Sequence, residues 1–278
     1  MAYALAALVI SAWIVTGMLR NNRLATTAYR TTLAGLRAPL RVVHLSDLHG
    51  KRFGPRDEDL LSAVGGLAPD LIAFSGDVLN RRRNVTVQAI AQLRALCEIA
   101  PVVVCRGNHD LDHNEWSALV QAMSEAVAAG RLSFLRDEVV TITIGDNTVS
   151  VAGVEDPAAY GDDASIFQAR IDALSRRAAA HPRPRILLAH RPEYIARYVA
   201  TSFQLSLSGH AHGGQVRLPL IGALWAPKQG LLPRHSDGIH RIGSLTAVVS
   251  RGLATSGMPP RFHNPPEIVT ITCVPPDA

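Results

Sequence analysis

Short apolar runs alternate with helix-like segments through the first half of the chain, and this alternation restricts the possible folds most strongly. Strand-like runs rich in β-branched residues occupy residues 41–45, 70–74 and 101–105, and helical patterns follow at residues 56–67, 84–99 and 115–129. Strands that alternate with helices are typical of a parallel or mixed sheet with helices packed on its faces. The sequence therefore predicts an α/β fold, and ligands of such folds bind beyond the carboxyl ends of the strands.

The second half of the chain continues with strands and one long helix. Residues 138–144 and 148–154 alternate in polarity around Gly145-Asp146-Asn147, which predicts a β-hairpin. A helical pattern at 163–180 precedes further strand-like runs at 185–189, 203–207, 245–249 and 267–272. No linker is long enough to divide this part of the chain, so residues 41–278 are predicted to form one domain.

Polar residues stand directly after five of the predicted strands. They are Asp47, His49, Asp77, Asn108, His109, His190, His210 and His212. Each alone has an ordinary explanation, such as capping the next turn, but eight such residues at five strand ends are not explained in that way. Carboxylates, imidazoles and an amide without thiolates suit borderline divalent ions rather than a structural zinc site. Two cations held ~3.5–4 Å apart would need a bridging carboxylate.

The order of these motifs resembles that of the calcineurin-like metallophosphoesterases. The motifs are Asp-x-His at 47–49, Gly-Asp at 76–77, Gly-Asn-His-Asp at 107–110, His190, and Gly-His-x-His at 209–212. The resemblance covers nearly everything from Arg41 to the C-terminus. Residues 213–219 and 261–268 are also similar to the YaeI/YkuE-like bacterial subgroup of membrane-associated phosphodiesterases. The resemblance implies a four-layer α/β/β/α sandwich.

The resemblance also implies a role for each residue of the site. One divalent metal would be held by Asp47, His49, Asp77 and His212, and a second by Asp77, Asn108, His190 and His210, with Asp77 bridging the two. Mn²⁺ is the first choice for both, with Fe or Zn²⁺ as alternatives. His109 would contact the phosphoryl group or protonate the leaving oxygen, and Asp110 would orient His109. The implied mechanism is attack by a metal-bridged hydroxide.

An apolar run precedes the predicted catalytic domain. Residues 2–19 contain almost no polar side chain, and eighteen helical residues span ~27 Å against a hydrocarbon core of ~30 Å. Residues 1–20 are therefore predicted to form a transmembrane anchor or an uncleaved signal-like helix, followed by a connector at 21–40 and the metallophosphoesterase catalytic domain at 41–278. A cleaved signal peptide and a buried core helix are the rival interpretations. Arginines 20, 23, 30 and 37 follow the run, which predicts a single-pass cell-membrane protein with a cytoplasmic catalytic domain.

Composition restricts the partners. The net charge is +5, but no dense basic run with interleaved aromatics is present, so no nucleic acid is expected as a partner. The three cysteines are dispersed, which suits a reducing compartment. No sequence feature indicates an oligomeric state.

The predicted anchor and the basic connector favour a membrane-associated or lipid-linked substrate. The predicted function is hydrolysis of a phosphodiester or pyrophosphate bond at a dinuclear metal centre. One alternative is a pyrophosphohydrolase of UDP-2,3-diacylglucosamine in lipid A synthesis, although the widespread soluble enzyme for that reaction carries arginine where this chain has His109. Another is a non-catalytic metal-binding membrane scaffold. The apolar stretch at residues 218–232 is interpreted as a packed loop rather than a lipid-facing patch.

Overall fold

The computed structural model describes residues 11, 15–17, 23–255 and 261–276, and two six-stranded sheets dominate this part of the chain. The strands of the first sheet are β1 (Ala25–Thr32), β2 (Leu40–Leu45), β3 (Leu71–Phe74), β4 (Val102–Cys105), β5 (Leu132–Leu135) and β16 (Glu267–Val274). The strands of the second sheet are β6 (Glu138–Ile144), β7 (Asn147–Gly153), β8 (Arg185–Leu188), β9 (Leu205–Ser208), β14 (Gly238–Ile242) and β15 (Leu245–Val249).

The remaining elements are helices and two small hairpins. The α-helices are α1 (Glu58–Gly66), α2 (Thr86–Cys97), α3 (His113–Ala122), α4 (Ser124–Ala128), α5 (Ala164–Ala179) and α6 (Ile195–Val199). Single 3₁₀ turns occupy Pro157–Tyr160, Pro192–Tyr194 and His212–Gly214. The hairpins consist of β10 (Arg217–Leu218) with β11 (Gly222–Ala223) and β12 (Trp225–Ala226) with β13 (Gly230–Leu231).

Parallel strands occupy the centre of both sheets. The first sheet has the order β1-β16-β2-β3-β4-β5, in which β2 to β5 run parallel. The second has the order β14-β15-β9-β8-β7-β6, in which β7, β8, β9 and β15 run parallel. Because parallel strands end at the same edge of a sheet, the loops after β2, β3 and β4 are neighbours, and so are those after β8 and β9.

The two sheets pack face to face, and helices cover their outer faces. Alternate residues of a strand point to opposite faces, so Val42 joins the core between the sheets while Val43 packs under the helices of the first sheet. Helices α1, α2 and α3 cover that outer face, and α5 and α6 cover the second sheet around Phe167 and Tyr198. The predicted α/β architecture with helix, sheet, sheet and helix layers is confirmed.

Strand β1 lies inside the segment that the sequence analysis assigned to a connector. It pairs in parallel with β16 along its full length, from Ala25↔Glu267 to Thr32↔Val274, and the following Leu33 and Leu36 are buried between the sheets. The strand signal was weak because threonine and alanine, rather than large apolar residues, fill its alternating positions. The sheet therefore begins before Arg41, and residues 25–40 are part of the folded domain.

The remaining predicted elements agree with the structure except in detail. The helix predicted at 115–129 is divided at Met123, whose backbone leaves the helical region (φ −101°, ψ 6°). The carboxylate of Asp112 begins α3 by accepting hydrogen bonds from the amides of Asn114 and Glu115. Strands β5 and β14 were not predicted. These differences do not move the strand ends that carry the polar motifs.

The predicted anchor at 1–20 lies outside the described residues, apart from positions 11 and 15–17. Within the part of the chain that the structure describes, no helix combines the length and the apolar character needed to cross a membrane.

Candidate metal centre

Loops at the carboxyl ends of five strands converge on one site. The predicted site residues all lie in them: Asp47 and His49 after β2, Asp77 after β3, Asn108, His109 and Asp110 after β4, His190 after β8, and His210 and His212 after β9. The first three strands are neighbours in one sheet and the last two are neighbours in the other. The fold therefore brings together residues that are far apart in the sequence. The amide of His210 donates a hydrogen bond to Oδ1 of Asp47, which lies 163 positions earlier.

The acidic and histidine side chains form two groups that share one carboxylate. The first group is Asp47, His49, Asp77 and His212, and the second is Asp77, His190 and His210. Within each group the candidate ligand atoms lie within 4.8 Å of one another, and every member is buried. The structure thus brings six of the seven predicted ligands together as two adjoining sites, and the seventh, Asn108, lines the same pocket.

Asp77 stands between the two groups. Its Oδ2 lies 3.6 Å from Nε2 of His49 and 3.3 Å from Nε2 of His190, while its Oδ1 accepts a hydrogen bond of 2.8 Å from the amide of His109. Oδ2 is buried and has no hydrogen-bond partner. A buried carboxylate oxygen left open toward two imidazoles is suited to bridging two cations, because burial without a partner is otherwise costly.

Three of the histidines are oriented by backbone carbonyls. Nδ1 of His49 lies 3.0 Å from the carbonyl of Leu79, and Nδ1 of His190 lies 2.8 Å from that of Ser75. Nδ1 of His212 lies 3.0 Å from the carbonyl oxygen of residue 254. A carbonyl accepts only, so each Nδ1 must donate, and each Nε2 keeps its lone pair in the neutral ring. This is the outer arrangement that ligating histidines commonly have.

Two side chains from the loop after β4 complete the floor of the pocket. The amide oxygen of Asn108 and Nδ1 of His109 are buried without hydrogen-bond partners. The ring of His109 packs edge-on against that of His49, with the ring centroids 4.6 Å apart. Both open atoms belong to residues that the sequence assigned to the site, and both residues line the pocket.

Asp110 makes contacts that differ from its predicted role. Its Oδ2 accepts hydrogen bonds from the amides of Asp77 (2.7 Å) and Gly107 (2.8 Å), and its Oδ1 accepts one from the amide of Leu79 (2.7 Å). These three bonds occupy the carboxylate, and none of its hydrogen bonds involves the ring of His109. Asp110 therefore ties the loops after β3 and β4 together, which places Asp77 rather than orienting the imidazole.

The loops hold several candidate ligands in a left-handed backbone conformation. The φ values are 54° for Asp47, 49° for His49, 57° for Asp77, 61° for His210 and 48° for His212. Such φ values are uncommon outside glycine, and they concentrate at sites where the fold compensates the strain. Glycines make the close approach possible, since a Cβ at Gly209 would lie 2.4 Å from Oδ2 of Asp47, and one at Gly107 would lie 2.3 Å from Oδ1 of Asp77.

Burial and the Asp77 charge set the protonation of the metal-free cluster. Burial lowers the pKa of His49 to about 4 and also lowers the pKa values of His210 and His212. Burial acts in the same direction on His190, but the charge of Asp77, whose Oδ2 lies 3.3 Å from Nε2 of the ring, outweighs it and raises the pKa of His190 to about 10. Without metal, Asp77 and His190 therefore form an ion pair, and the other three rings are neutral and ready to ligate.

The pocket above the cluster has basic walls that the sequence analysis did not identify. A cavity of about 510 Å³ opens over Asp77, Asn108 and His109, and its lining includes Arg81, Arg82, Trp225 and Lys228. The available signal was the run of three arginines at 81–83, directly after the motif that contains Asp77. The cavity therefore joins the candidate ligands to a cationic rim.

Three arginines in the loops around the site have carboxylate partners. Arg106 pairs with Glu155, Arg191 with Asp156, and Arg251 with Glu267. Of these three, Arg191 also lines the cavity, where its Nη1 lies 3.3 Å from Nε2 of His210. Ion pairing makes Arg106 and Arg251 parts of the scaffold around the site.

The donor set fits two divalent cations, because open nitrogen and oxygen atoms converge from two groups that share a carboxylate. A family model for calcineurin-like phosphoesterases matches residues 40–214, which is more than half of the chain. The chain belongs to the calcineurin-like phosphoesterase family. It is thus a metal-dependent phosphoester hydrolase, as the sequence motifs predicted.

Other calcineurin-like phosphoesterases are similar to this chain over most of their length. The uncharacterized metallophosphoesterase YkuE of Bacillus subtilis is 27% identical, over 84% of this chain and 78% of the relative. Phosphodiesterase YaeI of Escherichia coli is 28% identical, over 78% of this chain and 76% of the relative. Both agree with the predicted subgroup. The crystal structure of TT1561 from Thermus thermophilus has a TM-score of 0.51 at 16% identity, covers 77% of this chain and 89% of that chain, and supports the fold alone.

Proposed function

We propose that this phosphoesterase hydrolyses a phosphodiester or pyrophosphate bond of a membrane-associated or lipid-linked substrate. The observation that carries the proposal is the open Oδ2 of Asp77, which lies between His49 and His190 at the floor of a cavity with a basic rim. One relative, YaeI, is named a phosphodiesterase, which favours a diester over a monoester.

Seven side chains would hold two divalent cations. Asp47, His49, Asp77 and His212 would hold one cation, and Asp77, Asn108, His190 and His210 would hold the other. When bound, such cations lower the pKa of a coordinated water and neutralise charge on phosphoryl oxygens. Mn²⁺ is the proposed ion, with Fe and Zn²⁺ as alternatives, because imidazole, carboxylate and amide ligands without thiolates suit all three.

His109 would act on the substrate rather than on a metal. Its backbone amide is fixed by Oδ1 of Asp77, Nδ1 of its ring is buried without a hydrogen-bond partner, and the residue lines the cavity. Burial lowers the pKa of His109, so the ring is neutral at pH 7 and can donate its one N–H as a hydrogen bond to a phosphoryl oxygen. To protonate the leaving group, the ring would first have to take up a proton, for example from the attacking water. Asp110 would support this by fixing the loops rather than by touching the ring.

The rim of the cavity would select the substrate. Arg81, Arg82 and Lys228 stand around the opening, and Lys228 is partly compensated by Asp162 at 2.9 Å. Several cationic groups around one phosphoryl site favour a substrate with more than one anionic group, such as a pyrophosphate or an anionic lipid. Trp225 adds an apolar wall beside them. Attachment to the cell membrane by residues 1–20, with the catalytic domain in the cytoplasm, is part of the same proposal.

The test compares soluble substrates in the full chain loaded with Mn²⁺. We expect turnover of bis-p-nitrophenyl phosphate to exceed that of p-nitrophenyl phosphate. A following series of nucleotide–lipid pyrophosphates would identify the physiological class, including the UDP-2,3-diacylglucosamine alternative. If neither chromogenic ester is hydrolysed while both metals are bound, the proposal is wrong and the protein is a metal-binding scaffold.

A further inference from the structure

Exposed apolar side chains are concentrated on the two small hairpins. Among the described residues, nine large apolar side chains are exposed, and five of them lie within residues 220–232. The five, which we call the hairpin surface, are Leu220 (107% exposed), Ile221 (58%), Trp225 (44%), Leu231 (79%) and Leu232 (63%). Single exposed apolar residues are normal, but a cluster of this kind marks an interaction site. The stretch is therefore not the packed loop that its sequence suggested.

Two of these leucines have a left-handed backbone conformation, which is unfavourable for a bulky side chain. Leu220 has φ 65° and Leu232 has φ 50°, a region that bulky residues rarely occupy. Asparagine or glycine would suit these positions better. Since neither backbone preference nor burial within this chain explains leucine there, a contact outside the chain is the remaining physical reason.

The hairpins form one continuous surface. The amide of Leu224 donates to the carbonyl of Val216 (3.0 Å), and the carbonyl of Leu224 accepts from the amide of Leu232 (2.9 Å). Leu224 therefore joins the first hairpin to the second. Four residues span at most about 14 Å, so the tip at Leu220 stays within that reach of Leu224.

The hairpin surface adjoins the mouth of the catalytic cavity. Trp225 belongs to both, and Lys228 lies in the turn between β12 and β13 and lines the cavity. Arg81 and Arg82 line the same cavity, and together with Arg83 they are exposed and have no carboxylate partner within the described part of the chain. Apolar tips beside a cationic mouth complement the acyl and phosphate layers of an anionic bilayer.

One described residue of the apolar N-terminal run packs near the base of the first hairpin. Gly17 packs so closely on Phe262 that a Cβ there would lie 2.7 Å from Cε2 of its ring. Phe262 in turn pairs with the base of the first hairpin, since its amide donates to the carbonyl of Gln215 and its carbonyl accepts from the amide of Arg217. Gly17 therefore packs beside the base of the hairpin that carries Leu220 and Ile221.

We propose that the hairpin surface docks on an anionic phospholipid bilayer and brings the cavity mouth to the level of the lipid headgroups. This inference deepens the proposed function and rests on it for the identity of the substrate. The docking itself does not depend on the proposed function. The leucine tips would enter the interface to a depth of about 5–10 Å, and Arg81 to Arg83 would lie against lipid phosphates. A protein partner would leave the unpaired arginines without a defined complement, and it is an outcome that the test separates.

The experiment locates one hairpin tip in the membrane. The three native cysteines are buried, so Leu220→Cys in the full chain can be labelled with an environment-sensitive nitrobenzoxadiazole dye. The matched control is Val127→Cys, which is also exposed and lies in α4, ahead of the amino end of β5 and so away from the strand ends that form the site. Both are reconstituted in phosphatidylcholine vesicles with and without roughly 30% phosphatidylglycerol, which supplies the anionic charge.

We expect a blue shift and quenching by acyl-chain nitroxides at position 220 but not at position 127, with stronger quenching when phosphatidylglycerol is present. A label at 220 that stays in water in both vesicle types would overturn the proposal. A label that is already shielded in lipid-free detergent, with cross-links between copies, would instead identify a protein interface and would also overturn it.

A second variant links docking to turnover. Leu220→Asn with Leu232→Asn suits the left-handed backbone and removes the apolar tips. Turnover of bis-p-nitrophenyl phosphate should be unchanged. Turnover of a diacylglycerol p-nitrophenyl phosphodiester in the anionic vesicles should fall at least about ten-fold, because the variant lacks the two leucines that the bilayer would bury. Equal loss on both substrates would contradict the docking role. No turnover by the parent chain on either would reject the proposed function while leaving the label result to decide the docking.

Discussion

Asp77 turns one carboxylate oxygen toward the backbone and the other toward two histidines. Oδ1 is fixed by the amide of His109, so Oδ2 has little freedom to leave its position between His49 and His190. Asp110 holds the amide of Asp77 from the other side. Backbone contacts on both sides of Asp77 therefore determine where Oδ2 lies between the two histidines.

The proposed role of His109 predicts that catalysis and metal binding can be separated by one substitution. We expect His109→Ala to lower kcat by about 10²–10⁴-fold, the usual contribution of a positioned proton donor, while both metals stay bound. Metal content of the purified variant and its turnover of bis-p-nitrophenyl phosphate check this together. His181→Ala is the control, because His181 precedes β8 at the opposite end of the strand that leads to His190. Loss of metal from His109→Ala would show that His109 is a ligand.

Strand β1 shows at the element scale how a segment with a weak signal becomes part of the sheet. Its pairing with β16 completes one edge of the first sheet, and Leu33 directly after it is 1% exposed. The strand also lies beside the C-terminal element that contains Glu267, whose carboxylate accepts from the amide of Arg251. The first sheet therefore depends on residues that precede the matched family region at residues 40–214.

The contribution of the segment around β1 to stability can be measured by comparing leucine-to-alanine substitutions at a buried and an exposed position. Leu33→Ala should lower the free energy of unfolding by about 2–5 kcal/mol, because it opens a cavity between the sheets. Leu231→Ala changes a side chain that is 79% exposed, so it should alter the free energy of unfolding by less than about 0.5 kcal/mol. Denaturant unfolding of both variants gives the comparison. Equal and small effects would mean that residues 25–40 behave as a connector after all.

Metal binding, the release of a proton from His190 and the stability of the whole fold depend on one another. The pKa of His190 is raised from 6.5 to about 10 in the metal-free fold, so its ion pair with Asp77 stabilises that fold fully below pH 6.5 and is lost as the pH rises through about 10. A metal needs the neutral ring, so binding must expel this proton. Metal affinity should therefore increase with pH over the same window.

Calorimetry tests this coupling directly. Between about pH 6.5 and 8.5, Mn²⁺ titrations in buffers of different ionisation enthalpy should report release of about one proton per chain from His190, and the metal-induced rise in Tm should be larger at the higher pH. A Tm rise that is independent of pH, with no proton release, would contradict the assigned ion pair.

The sequence predicted the alternation of strands and helices and eight polar residues at strand ends, because both follow from local patterns that parallel sheets make visible. Asp110 and the role of each site residue came from the resemblance to the calcineurin-like family. Contacts from distant segments could not be predicted in this way. Examples are the amides of Asp77 and Leu79 that donate to Asp110, and Trp225 and Lys228 in the wall of the cavity. The exposure of Leu220 was equally invisible, since an apolar residue in a sequence indicates burial until its neighbours are known.

In the proposed mechanism, two metals that share Asp77 are required for phosphodiester hydrolysis. The most direct test is titration of the metal-free full chain with Mn²⁺ while turnover of bis-p-nitrophenyl phosphate and bound metal are followed together. Activity should rise to a plateau at two equivalents per chain, and Asp77→Asn should lose both activity and tight binding of the two ions. Full activity at one equivalent, or in Asp77→Asn, would contradict the shared two-metal centre.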